Sequence, residues 1–466
     1  MAGRVPLPVL LQRRSTDEYA PVPLGEHDRR VRTRVAEQVD AGAAALKRSP
    51  SLYATSRLGT AAGLLALNAE FGDDYYRVPP EATLDADAAE SALGGDQLLV
   101  DVQTHYVAGR PDNAQLQEWT MQMYRSLAPS WWDGIDGMVV YDFAEYLRCV
   151  FVESDVDVAV LTSNPGVDER RMLFNPELAG SRELVDRLAG TGRLLNHAVV
   201  HPNHGETAQM EDWRDRFRPV GWKVYTLGKL VDGEWVSTWR LDDDDGHRFL
   251  DEAERLAVPL VCAHKGIAFH AAAGSPDDVG PAARAHPNVD FVIYHSGYEM
   301  PDEAGPNEDG EVEGPFRETT ADIGVNRLIT TMRDHGLGPG DNVSAELGTT
   351  WFCLVRRPDA AAHVLGKLMR AFGEDNIIWG TDSVWYGPNR PVVDAFRAFQ
   401  IPERMQEEFG YPALTPRVKE KILGLNASRL YGIDTAAARG RRGRDDLGWI
   451  SAARAEFERT GVPISG

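Results

Sequence analysis

The feature that most limits the possible folds of this chain is a series of eight short apolar segments, each followed by a longer helical stretch. Parallel strands that are buried on both faces have such unbroken apolar runs. Strands that alternate with helices form βαβ units, and eight units predict an α/β fold of the (β/α)₈ TIM-barrel type. The segments are Leu98–Gln103, Val156–Thr162, Ala198–His201, Trp222–Leu227, Pro259–His264, Phe291–His295, Val343–Leu347 and Ile377–Asp382.

A doubly wound open sheet also alternates strands with helices and is the main alternative. Such sheets usually have about five or six strands and a glycine-rich turn after the first strand. No GxGxxG motif follows Val100. The sequence therefore favours the closed barrel.

Composition divides the chain into three parts. Residues 1–96 carry helical patterns and predict a helical N-terminal extension, in which the apolar stretch 58–67 reads as a buried helix. Residues 97–434 contain all eight predicted strands and form the barrel. Residues 435–466 predict a basic Arg/Gly linker and a closing helix.

Three connections are longer than barrel loops usually are. They are residues 106–155, which are rich in tryptophan, residues 228–242, with a predicted hairpin at Asp232-Gly233, and residues 299–320. They follow the first, fourth and sixth strands at the catalytic end of a barrel. We therefore predict that they are lids over an active site.

Charge and cysteine content limit the partners. Acidic residues outnumber basic residues by 71 to 49, and the formal net charge of −22 argues against nucleic acid and anionic membranes as partners. No apolar run reaches the ~20 residues that span a bilayer. Cys149, Cys262 and Cys353 form no paired motif, so a cytoplasmic protein without disulfides is expected.

Potential metal ligands follow several predicted strands. Gln103 and His105 end the first strand, His264 the fifth, His295 the sixth and Asp382 the eighth. Barrel enzymes carry their catalytic groups at these carboxyl ends. Imidazoles with a carboxylate suit Zn²⁺ or Fe²⁺, so we predict a metal centre, with independent core histidines as the alternative.

Three further residues extend the predicted centre. Glu346 ends the seventh strand and could be a ligand or have a structural role, and His201 ends the third strand. Lys223 lies on the fourth strand as a catalytic candidate, with a salt bridge in the barrel mouth as the alternative. His270 and Glu299 are weaker candidates.

Several of these motifs resemble the amidohydrolase superfamily, in particular the branch with decarboxylases and small-ring hydrolases. The matching pieces are Asp101-Val-Gln-Thr-His105, Gly221-Trp-Lys223, His264, His295-Ser-Gly297, Gly380-Thr-Asp382 and Ile422-Leu-Gly-Leu-Asn426-Ala-Ser-Arg-Leu-Tyr-Gly432. The resemblance implies metal ligation by His105, His264 and Asp382, with His295 as a ligand or proton-transfer group. The family's first strand normally carries His-x-His, whereas this chain has Gln103 at the first position, as a weak ligand or an orienting residue.

The chain also resembles an unusual group within this superfamily, which includes the nonheme diiron monooxygenase of platensimycin and platencin biosynthesis. That resemblance implies two Fe ions, an external electron donor or reductase, and hydroxylation of an unactivated C–H bond in a bulky diterpenoid, with a coenzyme A thioester as one form of the substrate. Large aromatics could line its pocket, with ordinary core packing as the alternative for each tryptophan, and arginines could bind its phosphates. The candidate tryptophans are Trp119, Trp131, Trp132, Trp351, Trp379 and Trp385, and the candidate arginines are Arg110, Arg125, Arg170, Arg171, Arg356 and Arg357.

Two other functions stay open at this point. A hydrolase or decarboxylase with one Zn²⁺ on His105, His264 and Asp382 would use His295 to polarise the substrate or move a proton. A degenerate barrel that only binds a ligand would fit the loss of the first histidine. A homodimer is also left open.

Overall fold

The computed structural model describes residues 6–12, 24–108, 141–164, 171–190, 192–226, 229–231, 234–236, 238–267, 274–299, 313–441 and 447. Within these ranges, none of the helices has the length and apolar character needed to cross a membrane.

The strands follow the alternating pattern of the sequence. In chain order they are β1 (Val100–Thr104), β2 (Val158–Leu161), β3 (Leu194–Asn196), β4 (Ala198–Val199), β5 (Trp222–Tyr225), β6 (Lys229–Val231), β7 (Glu234–Val236), β8 (Leu260–His264), β9 (Asp290–Tyr294), β10 (Val343–Glu346) and β11 (Ile377–Ile378). β6 and β7 form the antiparallel hairpin predicted within 228–242, and residues 232–233 lie outside the described ranges.

The α-helices lie before, between and after these strands. They are α1 (Glu26–Ala45), α2 (Pro50–Ala54), α3 (Arg57–Phe71), α4 (Ala86–Leu93), α5 (Phe143–Leu147), α6 (Asn175–Ala189), α7 (Met210–Phe217), α8 (Asp244–Arg255), α9 (Val279–Ala285), α10 (Val325–Asp334), α11 (Thr350–Leu354), α12 (Pro358–Phe372), α13 (Arg390–Ala398), α14 (Glu403–Phe409), α15 (Pro416–Glu420), α16 (Asn426–Leu430) and α17 (Thr435–Arg441). π-Helical turns extend α5 over Arg148–Val152 and join α15 to α16 over Lys421–Leu425.

Parallel pairing arranges the strands as a ring. One sheet has the order β1-β2-β3, and the other has the order β11-β10-β9-β8-β5-β4. β3 and β4 follow one another in the chain with only His197 between them. The ring closes where Val102 N donates to Trp379 O at 3.2 Å and Asp382 N donates to Gln103 O at 2.9 Å. These contacts confirm the predicted (β/α)₈ barrel.

The third and eighth strands differ from their predicted bounds. The third strand was predicted as Ala198–His201, but pairing begins at Leu194 and ends at Val199. It is interrupted at Asn196 and His197, because Asn196 O bonds to Val220 N while His197 N bonds to Leu161 O on the other side. The eighth strand has a regular ladder only over β11, beyond which a single parallel bridge joins Ser383 to Thr104, and Asp382 has a left-handed φ of 61°.

The barrel interior is a buried cluster that joins strands from around the ring. Val100, Val160, Cys262, Val292 and Ile378 all belong to it. Side chains from five separate strands can meet only inside the ring, so this cluster fills the barrel. Ala427 and Tyr431 from the C-terminal helical region also pack against it.

The N-terminal helices pack onto the outside of the barrel. α3 buries Leu58, Leu64 and Leu67, which confirms the buried helix predicted for residues 58–67. In the described part of residues 1–96 the regular elements are helical. The limits of the extension, and of the C-terminal segment beyond α17, stay predictions.

Candidate active site

The side chains predicted at the strand ends meet in one buried cluster. His105 Nε2 lies 3.0 Å from Asp382 Oδ1, and Gln103 Nε2 donates to the same oxygen at 2.8 Å. Gln103 Nε2 also lies 3.4 Å from His295 Nε2, which is 3.1 Å from His264 Nδ1. None of these five side chains exposes more than 4% of its surface. The ring therefore joins β1, β8, β9 and the end of β11 at one site, as the sequence predicted.

A backbone carbonyl orients the ring of His295. His295 Nδ1 lies 2.8 Å from Gly348 O, which can only accept, so Nδ1 carries the proton. The lone pair of Nε2 therefore faces His264 and Gln103. Burial lowers the pKa of His295 to about 4, and burial also lowers the pKa of His264 well below its ordinary value. Both rings are neutral at pH 7, which is the form that binds metals.

The carboxylate of Asp382 is held on both oxygens. Oδ1 faces Gln103 and His105, and Oδ2 accepts from the hydroxyl of Thr349. Burial alone would raise the pKa of Asp382, but the hydrogen bonds with His105 and Thr349 and the adjacent histidines hold it below its ordinary value. The site thus keeps a buried carboxylate ionised beside the neutral rings of His264 and His295.

Glu346 lies at the edge of the cluster and organises a turn. Its carboxylate accepts from the backbone N–H groups of His295 at 3.1 Å and Gly348 at 2.6 Å. Burial raises the pKa of Glu346 to about 8. A Cβ on Gly380 would lie 1.8 Å from Glu346 Oε1, so the carboxylate fills the space that this glycine leaves. The contacts fit the structural role of Glu346, and its role as a ligand stays a prediction.

The other predicted residues occupy different surroundings. Lys223 is buried in the barrel, with Nζ 3.5 Å from the centre of the Tyr294 ring. His201 lies after β4, its N–H donates to Glu206 at 2.8 Å, and its ring faces His204. Glu299 pairs with Arg327, while His270 is outside the described ranges. The roles predicted for Lys223 and His201 stay predictions.

Asp101 lies beside the cluster and is not part of it, although it precedes Gln103 by two residues and His105 by four. Its carboxylate accepts from the N–H and hydroxyl of Thr381 and from the amide of Asn389. Burial raises the pKa of Asp101 to about 7. The register of β1 against β2 shifts between Asp101 and Thr104. Asp101 therefore fixes the segment that carries Asp382.

Left-handed backbone conformations concentrate at this site. His295, Thr349 and Asp382 have φ values of 65°, 54° and 61°. Such conformations cost about 1–3 kcal/mol each and persist where the surrounding structure enforces them. Sequence reasoning missed Thr349 and its neighbour Tyr386, because nothing in the local sequence Gly-Thr-Thr signals a left-handed threonine.

Only some of the candidate pocket residues lie near the cluster. The Trp385 ring stacks beside His105 with ring centres 6.2 Å apart. Trp351 and Trp379 instead pack against Phe396 in the core, so their predicted role in lining a pocket is wrong. The remaining candidate tryptophans, Trp119, Trp131 and Trp132, lie outside the described ranges.

The candidate arginines provide no phosphate site that the structure can identify. Arg171 pairs with Glu206, and Arg357 lies 3.8 Å from Asp359. The guanidinium of Arg356 lies over the ring of Phe352 at 5.7 Å. The candidates Arg110, Arg125 and Arg170 are outside the described ranges.

The donor set has the chemistry of a metal site. Ligand atoms about 2.1 Å from a tetrahedral ion lie roughly 3.4 Å apart, whereas the His105–Asp382 and His264–His295 contacts are 3.0 and 3.1 Å. His105 Nδ1 and Gln103 Oε1 are buried without a hydrogen-bond partner among the described residues. In the same ranges, no three His, Cys, Asp or Glu side chains are arranged to hold an ion. The residue types therefore fit a metal, while their donor atoms hydrogen-bond to one another.

Comparison with solved structures finds low similarity. A 2,6-dihydroxybenzoate decarboxylase from Rhizobium is 16% identical, with a TM-score of 0.40, and the match covers 72% of this chain and 99% of that one. A dihydroxybenzoic acid decarboxylase from Polaromonas with bound manganese is 14% identical over 72% and 97%, with a TM-score of 0.39. A uronate isomerase from Bacillus halodurans is 14% identical over 91% and 95%, with a TM-score of 0.35.

The comparison with protein families gives the firmer result. No curated protein matches the chain. A family model described as Amidohydrolase matches residues 100–433, which contain every strand of the barrel and the whole cluster. This match covers well over half of the sequence. The chain therefore belongs to the amidohydrolase family.

Proposed function

We propose that the chain is a metal-dependent hydrolase or decarboxylase whose single divalent ion, with Zn²⁺ as first choice, is held by His105, His264 and Asp382. One observation carries the proposal. Imidazoles and an ionised carboxylate share a buried cluster at the carboxyl ends of the barrel strands, in a chain of the amidohydrolase family. Barrel enzymes build their active sites at this end.

The residues around the ion have separable tasks. A bound divalent ion supplies a Lewis acid that polarises a carbonyl or carboxylate group of the substrate. His295 holds an unprotonated Nε2 toward the cluster and takes up or delivers a proton there, because Gly348 O fixes the proton on Nδ1. Gln103 donates its amide hydrogen to Asp382 Oδ1 and so orients the carboxylate.

The oxygenase function is supported less well than this one. Two iron ions need additional ligands, for which Glu346 and His201 are the candidates. Glu346 uses its carboxylate oxygens to accept two backbone hydrogen bonds, and the hydrogen bond and ring contact described for His201 are with Glu206 and His204. We therefore favour one ion and a small-molecule substrate, with no need for an external reductant.

Metal analysis tests this proposal directly. Protein purified without added metal should hold about one divalent ion per chain, and H105A and D382N should lose most of it, because each variant removes a first-choice ligand. H27A is the matched control, since His27 lies on the surface of α1 and is 56% exposed. The measurement is elemental analysis of the dialysed proteins, with thermal unfolding to verify folding.

Two results would contradict the proposal. Two irons per chain together with reductant-dependent O₂ uptake would indicate the oxygenase. A folded chain that neither retains nor binds Zn²⁺, Mn²⁺ or Fe²⁺ would indicate a binding protein. With the metal established, CO₂ release from aromatic acids and hydrolysis of amides, esters and lactones separate the two reaction classes.

A further inference from the structure

A chain of two hydroxyl groups leads to the carboxylate of Asp382. Thr349 Oγ1 donates to Asp382 Oδ2, and the hydroxyl of Tyr386 contacts the same Oγ1. A threonine hydroxyl has one proton, so when that proton is given to the carboxylate, Oγ1 must accept from Tyr386. Thr349 is 1% exposed and Tyr386 is 3% exposed, so water does not compete for these bonds.

The backbone conformation of Thr349 indicates that its hydroxyl binds Asp382 instead of capping the helix. Thr349 is the N-cap of α11, where a threonine normally accepts a hydrogen bond from the first turn of the helix. Its side chain makes no such cap bond, and its φ of 54° is rare for a β-branched residue. A role in helix capping alone would explain neither feature.

The ring of Tyr386 is itself fixed. It stacks on Phe352 with ring centres 3.8 Å apart and planes 14° from parallel. Phe352 lies on α11, directly after the turn that contains Thr349. The helix therefore carries both the donor to Asp382 and the surface that holds the next hydroxyl in place.

We propose that Thr349 and Tyr386 are positioning residues for the metal ligand Asp382. By occupying Oδ2 they turn Oδ1 toward His105 and toward the ion. This inference rests on the proposed function, because it assigns a task to residues around the same centre. Groups that orient ligands in this way typically change metal affinity by about 10- to 100-fold when they are removed.

Zn²⁺ binding by the metal-free full chain tests the inference, measured by competition with a chromophoric chelator. T349V keeps the shape of the side chain and removes the hydroxyl, and we expect it to bind Zn²⁺ about 10- to 100-fold more weakly. T349S keeps the hydroxyl and should bind as the unchanged chain does. The Zn²⁺ affinity of Y386F should fall between those of T349V and the unchanged chain. In Y386F, Thr349 keeps its own proton but loses the hydrogen bond from the Tyr386 hydroxyl, which orients that proton toward Asp382.

The outcomes distinguish this inference from the proposed function. If the unchanged chain binds no Zn²⁺, the proposed function is wrong and the inference falls with it. If the unchanged chain binds and T349V binds equally well, or if T349S weakens binding as much as T349V, only the inference is overturned. Thermal unfolding identifies a variant that fails to fold. If T349V does not fold, a folded Y386F whose Zn²⁺ affinity equals that of the unchanged chain overturns the inference.

Discussion

Gly380 is a position in the site that has no space for a side chain. A methyl group there would lie 1.8 Å from Glu346 Oε1. That carboxylate is buried and accepts from the N–H groups of His295 and Gly348, so it cannot move without releasing the turn that orients His295. The absence of a side chain at position 380 is thus a condition for the geometry two residues later, at Asp382.

G380A should therefore destabilise the chain by about 1–3 kcal/mol, the usual cost of overpacking a buried position. G180A is the matched control. Gly180 lies within α6, where a Cβ would meet nothing within 4 Å, and alanine there should stabilise the chain by about 1 kcal/mol through helix propensity. Urea unfolding measures both variants, and equal effects of the two substitutions would show that the contact with Glu346 carries no weight.

At the scale of elements, one partly buried arginine links the N-terminal helices to the barrel. Arg57, at the start of α3, donates to Asp394 on α13 at 2.9 Å and to Asp155 at 3.1 Å, and it also pairs with Glu90 on α4. Asp394 is completely buried. Removing one partner of a buried ion pair leaves an uncompensated charge, which costs far more than the loss of a surface pair.

R57M should lower the free energy of unfolding by about 3 kcal/mol, the lower end of the usual cost, because Arg397 remains 3.4 Å from Asp394. R30M removes a pair with Glu70 in which Arg30 is 51% and Glu70 7% exposed, and it should change stability less than R57M does, because His27 remains 2.7 Å from Glu70. Denaturant unfolding at low and high salt checks both variants. A loss in R57M no larger than that in R30M would mean that the extension does not depend on this link.

Individual elements also differ in how well the sequence predicts them. The apolar run Pro259–His264 predicted β8 almost to the residue, because an uninterrupted strand carries its full signal in its own residues. The third strand was misplaced because Leu194–Asn196 is short and His197 interrupts it. The cluster could be predicted because strand ends converge in any barrel of this type. Thr349 could not, because its role arises from a turn conformation that only the folded chain imposes.

For the molecule as a whole, buried histidines make stability depend on pH. Burial, together with nearby positive charges, lowers the pKa of His363 on α12 to about 4. An unfolded histidine takes up a proton below its pKa of about 6.5, whereas the folded one does not until about pH 4. Protonation therefore favours the unfolded chain as the pH falls from about 6.5 to 4.

H363Q should lose this penalty. As the pH falls through that window, the free energy of unfolding of H363Q should rise relative to that of the unchanged chain. The rise should be smaller than the limit of about 1.4 kcal/mol per pH unit, because the His363 ring is partly exposed. His363 bonds to Tyr411 at 2.9 Å, outside the proposed metal centre, and glutamine can keep a hydrogen bond there. Chemical denaturation at several pH values provides the measurement. Parallel curves for the two proteins would contradict the prediction.

The closure of the ring between Gln103 and Asp382 also sets when the proposed metal centre can form. These two residues are 279 positions apart in the chain. At about 5–20 residues per second, a ribosome needs roughly a quarter of a minute to one minute to synthesise the intervening polypeptide. During that time the nascent chain exposes its early histidine without the carboxylate that completes the centre. The ligands of the proposed centre are therefore complete only after the segment that carries Asp382 has been synthesised.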